Sequence, residues 1–71
     1  MEIRKGRIQK IEVKKGFGFI RDDAGGDDIF FHWKTLLNGR RLAELAEGQR
    51  VRFTEFRDRE NRRRASYVAV A

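Results

Sequence analysis

The chain contains no cysteine and no proline in its 71 residues. Without cysteine it can form neither a disulfide nor a thiolate metal site, a composition that fits a reducing compartment. Without proline, its turns fall to Gly, Asn and Asp. No apolar run approaches the ~20 residues that would cross a bilayer as a helix. The opening MEIRKGRIQK has none of the apolar core of a secretory leader. Together these lead to the expectation of a soluble cytoplasmic protein. Titratable catalytic groups are also scarce, with one histidine and no thiol. The length allows one domain, residues 1–71, with a thin core.

Positive charge is plentiful. Lys and Arg number 17 against 11 Asp and Glu, leaving +6, and 12 of the 17 are Arg. Arg offers a flat fork that suits phosphate and stacks on rings, whereas Lys is a point charge. The charge is uneven, +5 over residues 1–21, −4 over 22–33 and +4 over 50–71. Such a balance favours a polyanion, nucleic acid before an anionic membrane.

Turn signals and alternation divide the chain into five short strands. A β-rich stretch runs from about Ile3 to Val13. The three-residue step from Ile8 to Ile11 breaks alternation and predicts a bulge near Gln9. Lys15 to Ile20 is a second strand, DDAGGD over 22–27 a turn, and Asp28 to Trp33 a third strand. Thr35 to Glu47 reads as a long loop with one helical turn, in which Leu36, Leu42 and Leu45 close the core. Val51 to Phe56 and Ala65 to Val70 are the last strands, joined by the charged turn 57–64. Five strands in so short a chain predict an all-β, antiparallel Greek-key barrel, which protects edges that a flat sheet would expose.

Alternation also assigns faces. If Gly18, Ile20, Ile29 and Phe31 fill the interior, Phe17, Phe19, Phe30 and His32 lie together outside. Pairing Arg21 with Asp28 sets Phe19 opposite Phe30 and Phe17 opposite His32. The inverted assignment places Ile20, Ile29 and Phe31 in water and builds no better core. A contiguous exposed apolar cluster marks a binding surface. Rings flanked by Arg7, Lys10, Lys14 and Lys15 suit stacked bases with phosphates alongside. Gly16 and Gly18, beside the rings, leave room for a close approach by a backbone or a base. Arg62, Arg63 and Arg64 are read as phosphate contacts, with a solvated turn as the alternative; Arg40 and Arg41 are read as part of a solvated loop.

The stretch KKGFGFIRDDAGGDDIFFHW, Lys14 to Trp33, closely resembles the cold-shock domain. Lys15 to Ile20 is similar to its first ribonucleoprotein motif and Asp28 to His32 to its second. Weaker similarity extends to Gly6 through Val13 and to Glu47-Gly48-Gln49. The resemblance implies a five-stranded OB-type barrel that binds single-stranded RNA or DNA with little sequence preference. It implies base stacking by Phe17, Phe19, Phe30 and His32 and a backbone contact by Lys15, and it sets Trp33 at the rim of the site. It further implies an RNA chaperone that competes with base pairing and needs no ATP. The chain departs from the family where Gly6 is followed by Arg7-Ile8-Gln9-Lys10-Ile11. Lys10 stands where a platform Trp is usual, Gln9 where Lys is, and Ile11 where Phe is. The loop aromatic common in the family is missing from 38–46.

Other classes fit less well. An RNA-recognition motif domain needs two helices on four strands, more than this chain holds. Nuclease chemistry needs two titratable groups within reach of one phosphate. The carboxylate nearest His32 in sequence, Asp28, is about 13 Å away along the strand at ~3.3 Å per residue. Turn chemistry accounts for Asp22-Asp23 and Asp27-Asp28 without a metal. A protein-binding adaptor is the remaining alternative, disfavoured by the charge unless its partner is acidic. The sequence thus predicts a monomeric, non-enzymatic binder of single strands with no cofactor and no metal.

Overall fold

The computed structural model describes residues 2–71. Five strands, β1 (Arg4–Glu12), β2 (Phe17–Asp22), β3 (Ile29–His32), β4 (Arg50–Arg57) and β5 (Arg63–Val70), form a closed barrel in the order β1-β2-β3-β5-β4. Four pairings are antiparallel; the one that closes the barrel, β3 with β5, is parallel and joins Phe30 to Arg64. The loop between β3 and β4 carries two 3₁₀ turns, Trp33–Thr35 and Leu42–Glu44, rather than one helical turn.

The first strand bulges where the three-residue step placed it, between Ile8 and Lys10. The extra residue lets Ile8 point into the core while Lys10 pairs with Phe19 on the outside. The strand stops at Glu12, and Val13 lies in the following turn, 54% exposed. Ile8, Ile20, Ile29, Phe31, Val51, Phe53 and Val68 are fully buried. Leu36, Leu42 and Leu45 cap this cluster, and Ile11 packs against its edge.

Gly18 points inward. A Cβ there would sit 2.7 Å from both the Phe31 ring and the Lys10 carbonyl oxygen. The close approach that Gly18 permits is therefore one within the barrel, not one by a base.

One end of the barrel is closed by ions. Arg63 donates to Asp22 at 2.6 Å, to Glu55 at 2.6 Å and to the carbonyl oxygen of Asp27 at 3.0 Å. Arg4 donates to Asp22 from the other side at 2.7 Å. Burial by itself would raise the Asp22 pKa, but the Ala24 N–H and the Arg4 and Arg63 guanidiniums outweigh it and hold it at about 2. This carboxyl is more acidic folded than unfolded, so its contribution is complete at neutral pH and is lost as pH falls through about 2. At about 1.4 kcal/mol per pKa unit the loss amounts to roughly 2 kcal/mol. Urea midpoints should therefore fall steadily from pH 5 to pH 2, and a flat profile over that range would contradict the buried ion cluster.

Candidate nucleic-acid interface

The β2–β3 pairing sets Phe17 opposite His32 and Phe19 opposite Phe30, the register read from the sequence. With Ile20, Ile29 and Phe31 inside, alternation turns the three phenylalanines and the histidine outward, each half-buried. The phenylalanine rings form a triangle. Phe17 lies 5.8 Å from Phe19 and 5.3 Å from Phe30, and Phe19 lies 5.8 Å from Phe30. Edge-to-face and tilted contacts of this kind hold rings in place while leaving their outer surfaces open.

His32 ends β3 and starts the first 3₁₀ turn. Its Nδ1 accepts from the Lys34 N–H at 3.2 Å, which leaves Nε2 as the ring N–H. Trp33 no longer follows strand alternation. It swings out to 49% exposure, 5.7 Å from the His32 ring, at the rim of the platform. Gly16 makes this possible: its φ is +78°, and a Cβ would lie 2.8 Å from the indole. The Trp33 N–H donates to the Gly16 carbonyl at 2.9 Å, which ties the β1–β2 turn to the end of β3. A groove beside Trp33 is bordered by Lys14, Lys15, Lys34, Arg40 and Arg41 over a floor that includes Leu36 and Leu42. Lys34, Arg40 and Arg41, read as ordinary loop residues or not singled out, thus gather beside the platform because the β3–β4 loop folds back on the β1–β2 turn.

Of the remaining basic residues proposed from sequence, Lys15 and Arg7 are exposed and form no ion pair among the described residues. Arg7 faces outward opposite Arg21, one step beyond the Lys10–Phe19 pair. Lys10 is exposed with its ammonium 3.0 Å from Glu12. Arg62 is exposed and shared between Asp58 and Glu60. Arg64 lies with its guanidinium 4.6 Å from the Phe30 ring centroid, held by Asp58 at 2.7 Å. The Arg64 hydrogen bond, with the Arg62 and Glu60 N–H groups, keeps the Asp58 pKa at about 2.

Arg63 differs from its two neighbours. Its side chain is 7% exposed and every donor direction points into the ion cluster. Strand β5 begins at Arg63, two residues before Ala65, so alternation turns Arg63 inward and Arg64 outward. Arg63 is held in the ion cluster at the end of the barrel. Phe56, which sequence reading left as an ordinary strand residue, is 47% exposed beside Arg64. Its signal was available, since Val51 and Phe53 point inward and the last ring of the strand does not.

No group of three His, Cys, Asp or Glu side chains converges as a metal site among the described residues. No helix there is long and apolar enough to cross a membrane. The surface has the chemistry of a stacking platform bordered by cations.

Comparison with known proteins agrees. The family model described as the 'Cold-shock' DNA-binding domain matches residues 4–71. The cold shock-like protein CspA of Vibrio cholerae is 47% identical over 49 residues, covering 69% of each chain. The cold shock-like protein CspG of Shewanella violacea is 37% identical over 65 residues, 92% of this chain and 91% of that one. Among solved structures, the one titled drosophila Unr CSD456 superposes with a TM-score of 0.80 at 27% identity. That match takes in 99% of this chain and 27% of the other. The fold, the outward rings and these matches together show that the chain belongs to the cold-shock DNA-binding domain family and is a nucleic-acid-binding protein of the cold-shock type.

Proposed function

We propose that the protein holds RNA or DNA single strands unpaired and acts as an RNA chaperone. Bases stack on Phe17, Phe19, Phe30 and His32, with Trp33 extending the platform at its rim. Lys15, Lys10, Arg7, Arg62 and Arg64 attend the backbone. The observation that carries this reading is the triangle of half-buried phenylalanines on the outer face of β2 and β3, bordered on the β5 side by the Arg64 guanidinium over Phe30. Stacking is largely indifferent to base identity because every base has a π-face, so the protein would capture exposed strands broadly. It would do so as a cytoplasmic monomer, without catalysis, cofactor or metal.

Trp33 provides the assay. Short single strands should quench its fluorescence, and duplex of the same sequence should not. With about four to five cations engaged, log affinity should fall against log salt with a slope of roughly −3, at about −0.7 per phosphate. Arg62→Gln should flatten that slope by about 0.7 with the fold intact. Equal response to single strand and duplex would overturn the reading. So would a slope near zero, the signature of an apolar protein contact.

A further inference from the structure

One row of side chains crosses all five strands. Lys10 on β1 is the register partner of Phe19 on β2, Phe19 of Phe30 on β3, Phe30 of Arg64 on β5, and Arg64 of Phe56 on β4. Register partners share a face, so the row continues past the phenylalanine triangle onto the β5–β4 surface. The parallel β3–β5 pairing makes this possible by placing Arg64 next to Phe30, 34 residues away in sequence. Arg64 is not a loose surface cation. Its guanidinium sits 4.6 Å from the Phe30 centroid, and Asp58 fixes it through Nε at 2.7 Å. Phe56 lies at the end of the row, 47% exposed. Arg57, next to Phe56 in β4, and Arg62, just before β5, are exposed.

We propose that Arg64 and Phe56 form a second stacking site for an unpaired base of the same strand, so that the bound nucleic acid runs from β2–β3 over β5 to β4. A guanidinium plane and a phenyl ring are both surfaces on which nucleobases stack. Adjacent strands are ~4.8 Å apart, which places the Phe56 backbone about 10 Å beyond that of Phe30. A flexible single strand crosses that span, whereas a stiff duplex cannot lay successive unpaired bases along it. The site rests on the reading of the platform given above and extends it by one aromatic step.

Homopolymeric deoxythymidine and uridine strands of roughly three to ten nucleotides test this, over lengths that approach and enter the range typical of such barrels. Phe56→Ala should lose about tenfold in affinity for the longest strands, ~1.4 kcal/mol, and progressively less as the strand shortens. Its melting temperature should stay near that of the wild type, since the ring is half exposed. Arg64→Lys keeps the charge but loses the plane, so it should weaken long strands several-fold while leaving the salt slope unchanged. Wild-type affinity in Phe56→Ala at every length, with Phe30→Ala weakened, would overturn the second site and leave the platform standing. If Phe30→Ala also binds as the wild type does, the platform itself is wrong. An Arg64→Lys variant that matches the wild type would reduce Arg64 to a phosphate contact and overturn its stacking role.

Discussion

Arg63→Gln should leave most of the protein unfolded in mild urea, although it replaces one of three consecutive arginines in a basic chain. The guanidinium is 7% exposed and the Asp22 carboxylate beneath it 2%. Arg63 ties β5 to Glu55 on β4, to Asp22 at the end of β2 and to the carbonyl oxygen of Asp27 in the following turn. Glutamine cannot reach all of these and carries no charge. Asp22 would keep Arg4 but lose half of its compensation, in a site from which water is excluded. Breaking a buried pair by removing one partner typically costs ~3–5 kcal/mol. A chain of this length is expected to have only ~4–10 kcal/mol in total, at roughly 0.05–0.15 kcal/mol per residue. Arg63→Lys should not restore stability, because an ammonium cannot serve Asp22, Glu55 and the Asp27 carbonyl with one planar fork. Urea titration followed by circular dichroism measures the effect. A loss below about 1 kcal/mol would show that Arg63 does not hold the barrel end together. Because of this role, joint replacement of Arg62, Arg63 and Arg64 would confuse lost folding with lost phosphate contacts, and Arg62 alone is the informative site for the salt slope.

Phe31→Ala and Phe30→Ala, adjacent in sequence, should fail in opposite ways. Phe31 is fully buried, packed against Gly18 in the centre of the barrel. Its truncation leaves a cavity in a thin core and should cost ~3–5 kcal/mol of stability. Phe30 is half-buried on the outer face, in contact with Phe17, Phe19 and the Arg64 guanidinium. Its truncation should cost ~1–3 kcal/mol of binding to single strands and markedly less stability than Phe31→Ala. Thermal melts and Trp33 quenching on the same two variants separate the effects. The reverse pattern, with Phe30→Ala unfolded and Phe31→Ala merely weak in binding, would invert the faces of the sheet and remove the platform.

The central hairpin was legible because its information is local. In β2 and β3 the interior positions are Gly18, Ile20, Ile29 and Phe31, and the outer ones are three rings and a histidine. A one-residue slip would exchange the two sets, so the pattern itself specifies the register. The bulge at Gln9 was legible for the same reason, since Ile8 and Ile11 cannot both face the core without an extra residue between them. The three loop leucines were recognisable because a short barrel has few other apolar groups with which to close its end.

The basic residues were not legible in this way. Arg62, Arg63 and Arg64 are identical in type and adjacent in sequence. In the structure one lies in the turn with Glu60, one is enclosed by carboxylates and one has its guanidinium over a ring. Their roles depend on where β5 begins and on which strand lies beside it, and charge density along the chain carries neither fact. Trp33 likewise faces the rim because β3 ends at His32 and Gly16 leaves space for the indole, a contact between two separate turns. The sequence by itself determined the barrel, the inward core and the outward rings, because alternation acts between neighbours along one strand. Only the tertiary structure decided which cations are tied into buried ion pairs and which stay exposed, and that Phe56 lies in register with the row of rings. Those assignments rest on pairings between strands far apart in sequence, above all the parallel contact of β3 with β5, which no local pattern encodes.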